Sequence, residues 1–187
     1  ILGIALHGLS AGLSAWLARL VGLGRWAIWL AALGVALTPR LLWGSVSGME
    51  IPLYTALATA GVALHLAGWR GQEHKGFALG VAACFALATL TRPECLLLLP
   101  LALADRWRRD QAAGWYWSGI GVFAVLLAPS VWFNLATIGK PLPNTFYAKV
   151  GSFGLLGALA GGDWGRVVKV LAYYPLLQIE EMGRFAV

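Results

Sequence analysis

Residues 51–69 read IPLYTALATAGVALHLAGW, a stretch of nineteen positions without one charged side chain. As a helix rising ~1.5 Å per residue it spans about 28 Å, close to the ~30 Å hydrocarbon core of a bilayer. It lacks the polar face, recurring every 3.6 residues, that a surface helix of a soluble protein carries. Residues 114–139, GWYWSGIGVFAVLLAPSVWFNLATIG, repeat the pattern. Further apolar segments cover 1–18, 26–38, 76–91 and 93–104. Polar clusters at 19–25, 39–50, 70–75, 91–94, 105–111 and 139–149 separate them. Hydrophobic residues make up 59% of the chain and charged residues 12%, about half the charged share usual in soluble domains. The sequence shows no internal repeat and no β-barrel alternation. The expected fold is all-α: a polytopic transmembrane helical bundle with short, broken helices.

The stretch 76–104 admits two readings. One helix of 29 residues would rise about 43 Å, too long for the bilayer core without strong tilt. A hairpin broken at Arg92-Pro93 gives two short half-spans instead. Proline disfavours helix at the residue before it, and arginine is costly in mid-bilayer. Charge decides for the hairpin. It puts Arg19, Arg25, Arg70, Lys75, Arg106, Arg108 and Arg109 on one face, against Arg40, Arg92, Lys140 and Lys149 on the other. The single helix erases most of that bias. The seven-base face is therefore expected to be cytoplasmic. Trp26, Trp69, Trp107, Trp115 and Trp117 fall at its helix ends and Trp43 and Trp132 at the opposite ends, as aromatic belts do.

Residues 1–150 are read as the transmembrane region. Residues 151–187 change character: Trp164, Val167, Val168, Leu171, Tyr174 and Leu177 recur at helical spacing, with Arg166 and Lys169 between them. An interfacial amphipathic helix on the periplasmic face fits, and a shortened span is the alternative. The chain begins inside an apolar run and ends after Gln178, Glu180, Glu181 and Arg184, so truncation at both ends is expected. A net charge of +6 raises nucleic acid as a partner, but the bases lie in separate clusters rather than one stripe, and topology accounts for them. Cys84 and Cys95 read as small buried apolar residues. His7 and His65 read as packed or snorkelling and His74 as solvated. No metal site is expected from these residues.

Three polar segments meet on the outer face in this topology: 45–52 (SVSGMEIP), 91–94 (TRPE) and 139–149 (GKPLPNTFYAK). Ionisable groups near membrane depth are functional candidates by default. Glu50 either complements the amino end of the next helix or pairs with Arg92, a metal or a sugar hydroxyl. Arg92 either closes the hairpin tip with Glu94 or directs its guanidinium at a phosphate, for which arginine geometry is well suited. Lys140 and Lys149 flank a proline-stiffened loop, where anchoring to lipid head groups is the alternative to a role at the site. Asn144, Phe146 and Tyr147 add an amide and two aromatic faces of the kind that receive sugar rings and lipid head groups.

In the order Ser47-Gly48-Met49-Glu50, Thr91-Arg92-Pro93-Glu94 and Pro141-Leu142-Pro143-Asn144-Thr145-Phe146-Tyr147-Ala148-Lys149, these segments resemble the GT-C superfamily of integral membrane glycosyltransferases. The resemblance is to bacterial members related to cell-wall arabinofuranosyltransferases and to protein O-mannosyltransferase-like enzymes. It implies a multi-pass enzyme of the bacterial cytoplasmic membrane with its active site facing the periplasm. Such an enzyme moves a sugar from a polyprenyl-phosphate donor to the hydroxyl of a glycan or protein acceptor, with inversion. Some members use a divalent cation and others do not. The chemistry needs a carboxylate base, cations for the departing phosphate and a groove for the lipid. The candidate substrate-binding residues are Glu50, Arg92, Glu94, Lys140, Asn144, Tyr147 and Lys149. No acid precedes Glu50, whereas the family's catalytic acid lies in the first outer loop. The base is therefore expected upstream of residue 1. A transporter or flippase for a lipid-linked or polar substrate is the alternative, since it too uses proline-broken helices and intramembrane charge. A non-catalytic subunit of an envelope-building complex is a third possibility.

Overall fold

A computed structural model describes residues 1–48, 50–69, 75–108, 114–144, 146–147, 158, 161–173 and 176. Among them the secondary structure is helical, with no strand. The chain divides into two compact units, Ile1–Ser130 and Val131–Val187.

In the first unit α1 (Leu2–Val21) ends at Gly22, whose left-handed backbone (φ 88°) lets its own N–H reach the Arg19 carbonyl and that of Leu23 the Ala18 carbonyl. His7, Ser10, Ala11 and Ala18 are its buried positions, at helical spacing. The helix packs against α4 (Ile51–Trp69), with Ala56, Ala63 and Ala67 among the buried residues of α4. Small side chains let helix backbones approach closely, the arrangement that holds helices together where lipid removes the hydrophobic drive.

Between them run α2 (Arg25–Ala36) and α3 (Pro39–Val46), bent by 49° at the Leu37-Thr38 break. The 39–50 stretch, expected as polar punctuation, is thus helical through Val46. Pro39 sits at the start of α3, where a missing N–H costs nothing. The break exposes backbone carbonyls, and side chains meet them: Nε2 of His7 lies 3.0 Å from the Ala36 carbonyl, and the Thr38 hydroxyl donates to Gly34. Gly3 of α1 presses against the Ser45 carbonyl so closely that no Cβ fits between them.

The hairpin expected at Arg92-Pro93 is present. Helix α5 (Lys75–Thr91) stops one residue short of the break, and Arg92 is extended (φ −141°, ψ 113°), as the position before proline favours. A 3₁₀ turn, Pro93–Leu97, leads into α6 (Leu98–Arg108). Two polar contacts fix the fold-back. Arg92 meets Glu50 at the start of α4, while Asp105 near the end of α6 meets His65 near the end of α4. Helices α5 and α6 therefore run in opposite directions alongside α4. Their shared core is Val81, Ala82, Phe85, Ala86, Leu99 and Ala102, joined by Phe123 of α7 (Gly114–Ile138). The Phe85 ring, 1% exposed, rests on Gly61, and the Gly119 position of α7 faces the Ala78 carbonyl.

Among the described residues three helices are long and apolar enough to cross a membrane: Leu2–Val21, Ile51–Gly68 and Trp117–Ile138. The bent pair α2–α3 makes a fourth if counted as one span. Their large apolar side chains are widely exposed, including Trp26, Trp29, Leu30 and Leu33 on α2 and Trp132 on α7. A soluble monomer rarely leaves this much apolar surface bare. Exposure of this kind is consistent with helices that cross a membrane.

In the second unit α7 ends at Gly139 (φ 71°), and the chain turns through Lys140–Pro143. Within the stretch 151–187 the described residues form α8 (Trp164–Val168), capped by the Asp163 side chain, which accepts from the Arg166 N–H at 3.0 Å. It continues as a π turn, Lys169–Tyr173. Val167 is buried, whereas Trp164, Val168 and Leu171 are exposed. Tyr174 and Leu177 lie outside the described residues.

Candidate functional site

At the α4 end where the hairpin tip arrives, three side chains from two segments meet. Gly48, with a positive φ of 71°, allows the turn that brings the chain from α3 into α4. Glu50 stands just before α4, and its carbonyl accepts the Tyr54 N–H at 3.1 Å, so the two residues lie one turn apart. From the hairpin tip, Arg92 places Nε 3.5 Å from Oε1 of Glu50. Its guanidinium carbon lies 4.9 Å from the centre of the Tyr54 ring, within cation–π range. The backbone of Arg92 is tied down on both sides: its N–H donates to Ala88 and its carbonyl accepts from Cys95.

Stability does not explain this cluster. The side chains of Arg92 and Glu50 are 33% and 47% exposed, and such an ion pair contributes about 0–1 kcal/mol. The contact to Glu50 is made from the inner nitrogen of the guanidinium, at 3.5 Å. Among the described residues Nη1 and Nη2, the fork that binds phosphate or carboxylate two oxygens at a time, make no hydrogen bond. The arrangement can take an anion on Arg92 and a hydroxyl on Glu50.

Of the two pairings open to Arg92 in the sequence, the structure forms the one with Glu50. Glu94 is exposed in the first turn of the 3₁₀ segment. Lys140, Asn144 and Tyr147 belong to the second unit. There Nζ of Lys140 lies 4.8 Å from the Tyr147 ring centre, and Phe146 meets Tyr147 edge-on at 5.7 Å. Asn144 is exposed beside them in the chain. Lys149 lies outside the described residues, as does His74.

Sequence reasoning missed three placements, that of Tyr54 at the site and those of His65 and Arg106 at the opposite end of α4. Tyr54 carries a local signal, an aromatic one helical turn after a candidate acid. His65 gains its partner from 40 residues away, with Nε2 3.1 Å from Oδ2 of Asp105, and no local pattern announces that. Arg106, expected among loop bases, is instead buried on α6, where Nη2 lies 2.7 Å from where a Cβ on Gly68 would sit. Among the described residues no group of three or more His, Cys, Asp or Glu is placed to hold a metal ion. Comparison with protein-family models, with curated proteins and with solved structures gives no match to this chain.

Proposed function

We propose that the chain is part of a membrane glycosyltransferase of the GT-C type, moving a sugar from a polyprenyl-phosphate donor to an acceptor hydroxyl. The observation that carries the reading is the Glu50–Tyr54–Arg92 cluster. An arginine whose phosphate-binding fork makes no hydrogen bond among the described residues is held beside a carboxylate at the end of apolar helices. In this reading Arg92 takes the donor phosphate and steadies the negative charge that develops as the sugar leaves, and Lys140 and Lys149 are candidate cations of the second unit. Glu50 and Glu94 orient substrate hydroxyls, and neither is given the role of base. Asn144 and Tyr147 offer an amide and a ring face to the sugar or its carrier.

Charge supports an orientation. In the first unit Arg19 lies in the last turn of α1, Arg25 begins α2, and Arg106 and Arg108 lie at the end of α6. Glu50 and Arg92 are at the other end of the same helices. The positive-inside rule then puts the cluster at the outer face of a bacterial cytoplasmic membrane, where a glycan or protein acceptor is met.

The test is transfer from polyprenyl-phosphate sugars by membranes holding the full-length protein. Arg92→Ala is expected to lower kcat by about 100-fold, the worth of one electrostatic contact to the transition state, and Lys149→Ala to lower it as well. Transfer that survives both changes removes the site assignment. A second reading, a transporter or flippase, is favoured by the bent α2–α3 pair and by the His65–Asp105 pair within helices of a candidate membrane domain. Substrate uptake into proteoliposomes without sugar transfer would select it.

A further inference from the structure

We infer that Glu50 is the resident counter-anion of Arg92, displaced when a phosphate-bearing ligand binds, so that the site works by exchanging one anion for another. The inference deepens the reading of Arg92 as the phosphate-binding residue and rests on it. The ligand class is a phosphate ester or phosphate itself.

Four features support exchange over simple addition. First, the Glu50 contact is weak for its kind: one oxygen at 3.5 Å from Nε, where a charge-assisted bond settles near 2.7–2.9 Å and an arginine–carboxylate pair is often two-pronged. Second, both side chains are partly exposed, so separating them exposes no buried charge. Third, the Tyr54 ring lies on the guanidinium independently of Glu50, so Arg92 keeps a support after the carboxylate has left. Fourth, Glu50 precedes the first turn of α4, where the helix dipole favours negative charge, so the displaced carboxylate has a place to rest. A phosphate oxygen brought to the fork while Glu50 stayed in place would meet a like charge a few ångströms away. Exchange removes that repulsion and replaces one long contact with two short ones.

The experiment measures binding, separately from transfer. The full-length protein in nanodiscs is titrated with dodecyl phosphate and, in parallel, with inorganic phosphate. Glu50→Gln and Glu50→Ala are each expected to bind dodecyl phosphate about fivefold more tightly than the unaltered protein, because the competitor is gone. Arg92→Gln is expected to weaken binding at least tenfold, and in its background Glu50→Gln should change nothing. Tightening with both probes identifies the phosphate group as the displacing ligand, and tightening with dodecyl phosphate alone identifies a lipid-borne one. Glu50 variants that bind equally or more weakly overturn the inference even if sugar transfer is observed. Tightening in a protein that transfers no sugar upholds the exchange and sinks the proposed activity instead.

Discussion

Replacing Gly61 by alanine puts a methyl group into the ring of Phe85. A Cβ built there overlaps the near edge of the ring, with Cδ1 at 2.6 Å and Cζ at 3.2 Å. Real Cβ contacts do not come that close, so either the ring turns or α4 and α5 move apart. The ring has little room, because Phe85 is 1% exposed and packed among Val81, Ala82, Ala86, Leu99 and Ala102. Overpacking of this sort costs about 1–3 kcal/mol. Phe85→Leu alone is expected to cost about 1–2 kcal/mol through the cavity it leaves. The two changes together should cost less than their sum, because the alanine methyl occupies part of that cavity. The expected coupling is about 1–2 kcal/mol, within the range for residues in contact. Reversible unfolding of the protein in mixed micelles, followed by circular dichroism, measures all three variants. A neutral Gly61→Ala, or strict additivity in the double variant, refutes the packing of α5 on α4.

Asp105→Ala removes the acceptor facing the buried His65 and is expected to lower stability by about 1–3 kcal/mol in the same assay. Gly3→Val forces α1 away from the Ser45 carbonyl and disturbs the turn leading to Glu50. It should therefore lower stability and weaken alkyl phosphate binding together, whereas Gly12→Ala, with open space at its Cβ, should change neither. Single cysteines at Glu50 and Arg108 in a background lacking Cys84 and Cys95 report orientation. A membrane-impermeant maleimide added to intact cells is expected to label the first and spare the second, and the reverse pattern inverts the proposed topology.

Much of the helical framework was legible because charge is so scarce. The uncharged run 51–69 is helical over its whole length, and Arg92-Pro93 breaks the chain where steric conflict with proline predicts a break. The orientation of α6 followed from counting bases, and the contact of His65 with Asp105 agrees with it. What escaped was tertiary. The 39–50 stretch looked like a loop because proline, glycine and serine are common there. Proline at a helix start and serines bonded back to carbonyls of their own turn are nonetheless compatible with a helix through Val46. Arg106 looked like a loop base because sequence registers its charge and not the face of α6 it occupies. For the site, the Glu50–Arg92 pairing stood among the alternatives, while Tyr54 did not: its spacing one turn after Glu50 is visible in the sequence, but not what rests on its ring face.

The most direct measurement of the central claim is sugar transfer from a polyprenyl-phosphate donor by the purified full-length protein in liposomes, as a function of the side chain at position 92. Arg92→Lys keeps the charge and loses the fork, so an intermediate rate is expected. Arg92→Gln loses both, and a fall of about 100-fold or more is expected. Equal rates for arginine, lysine and glutamine, or no transfer by the unaltered protein with any such donor, would contradict the account.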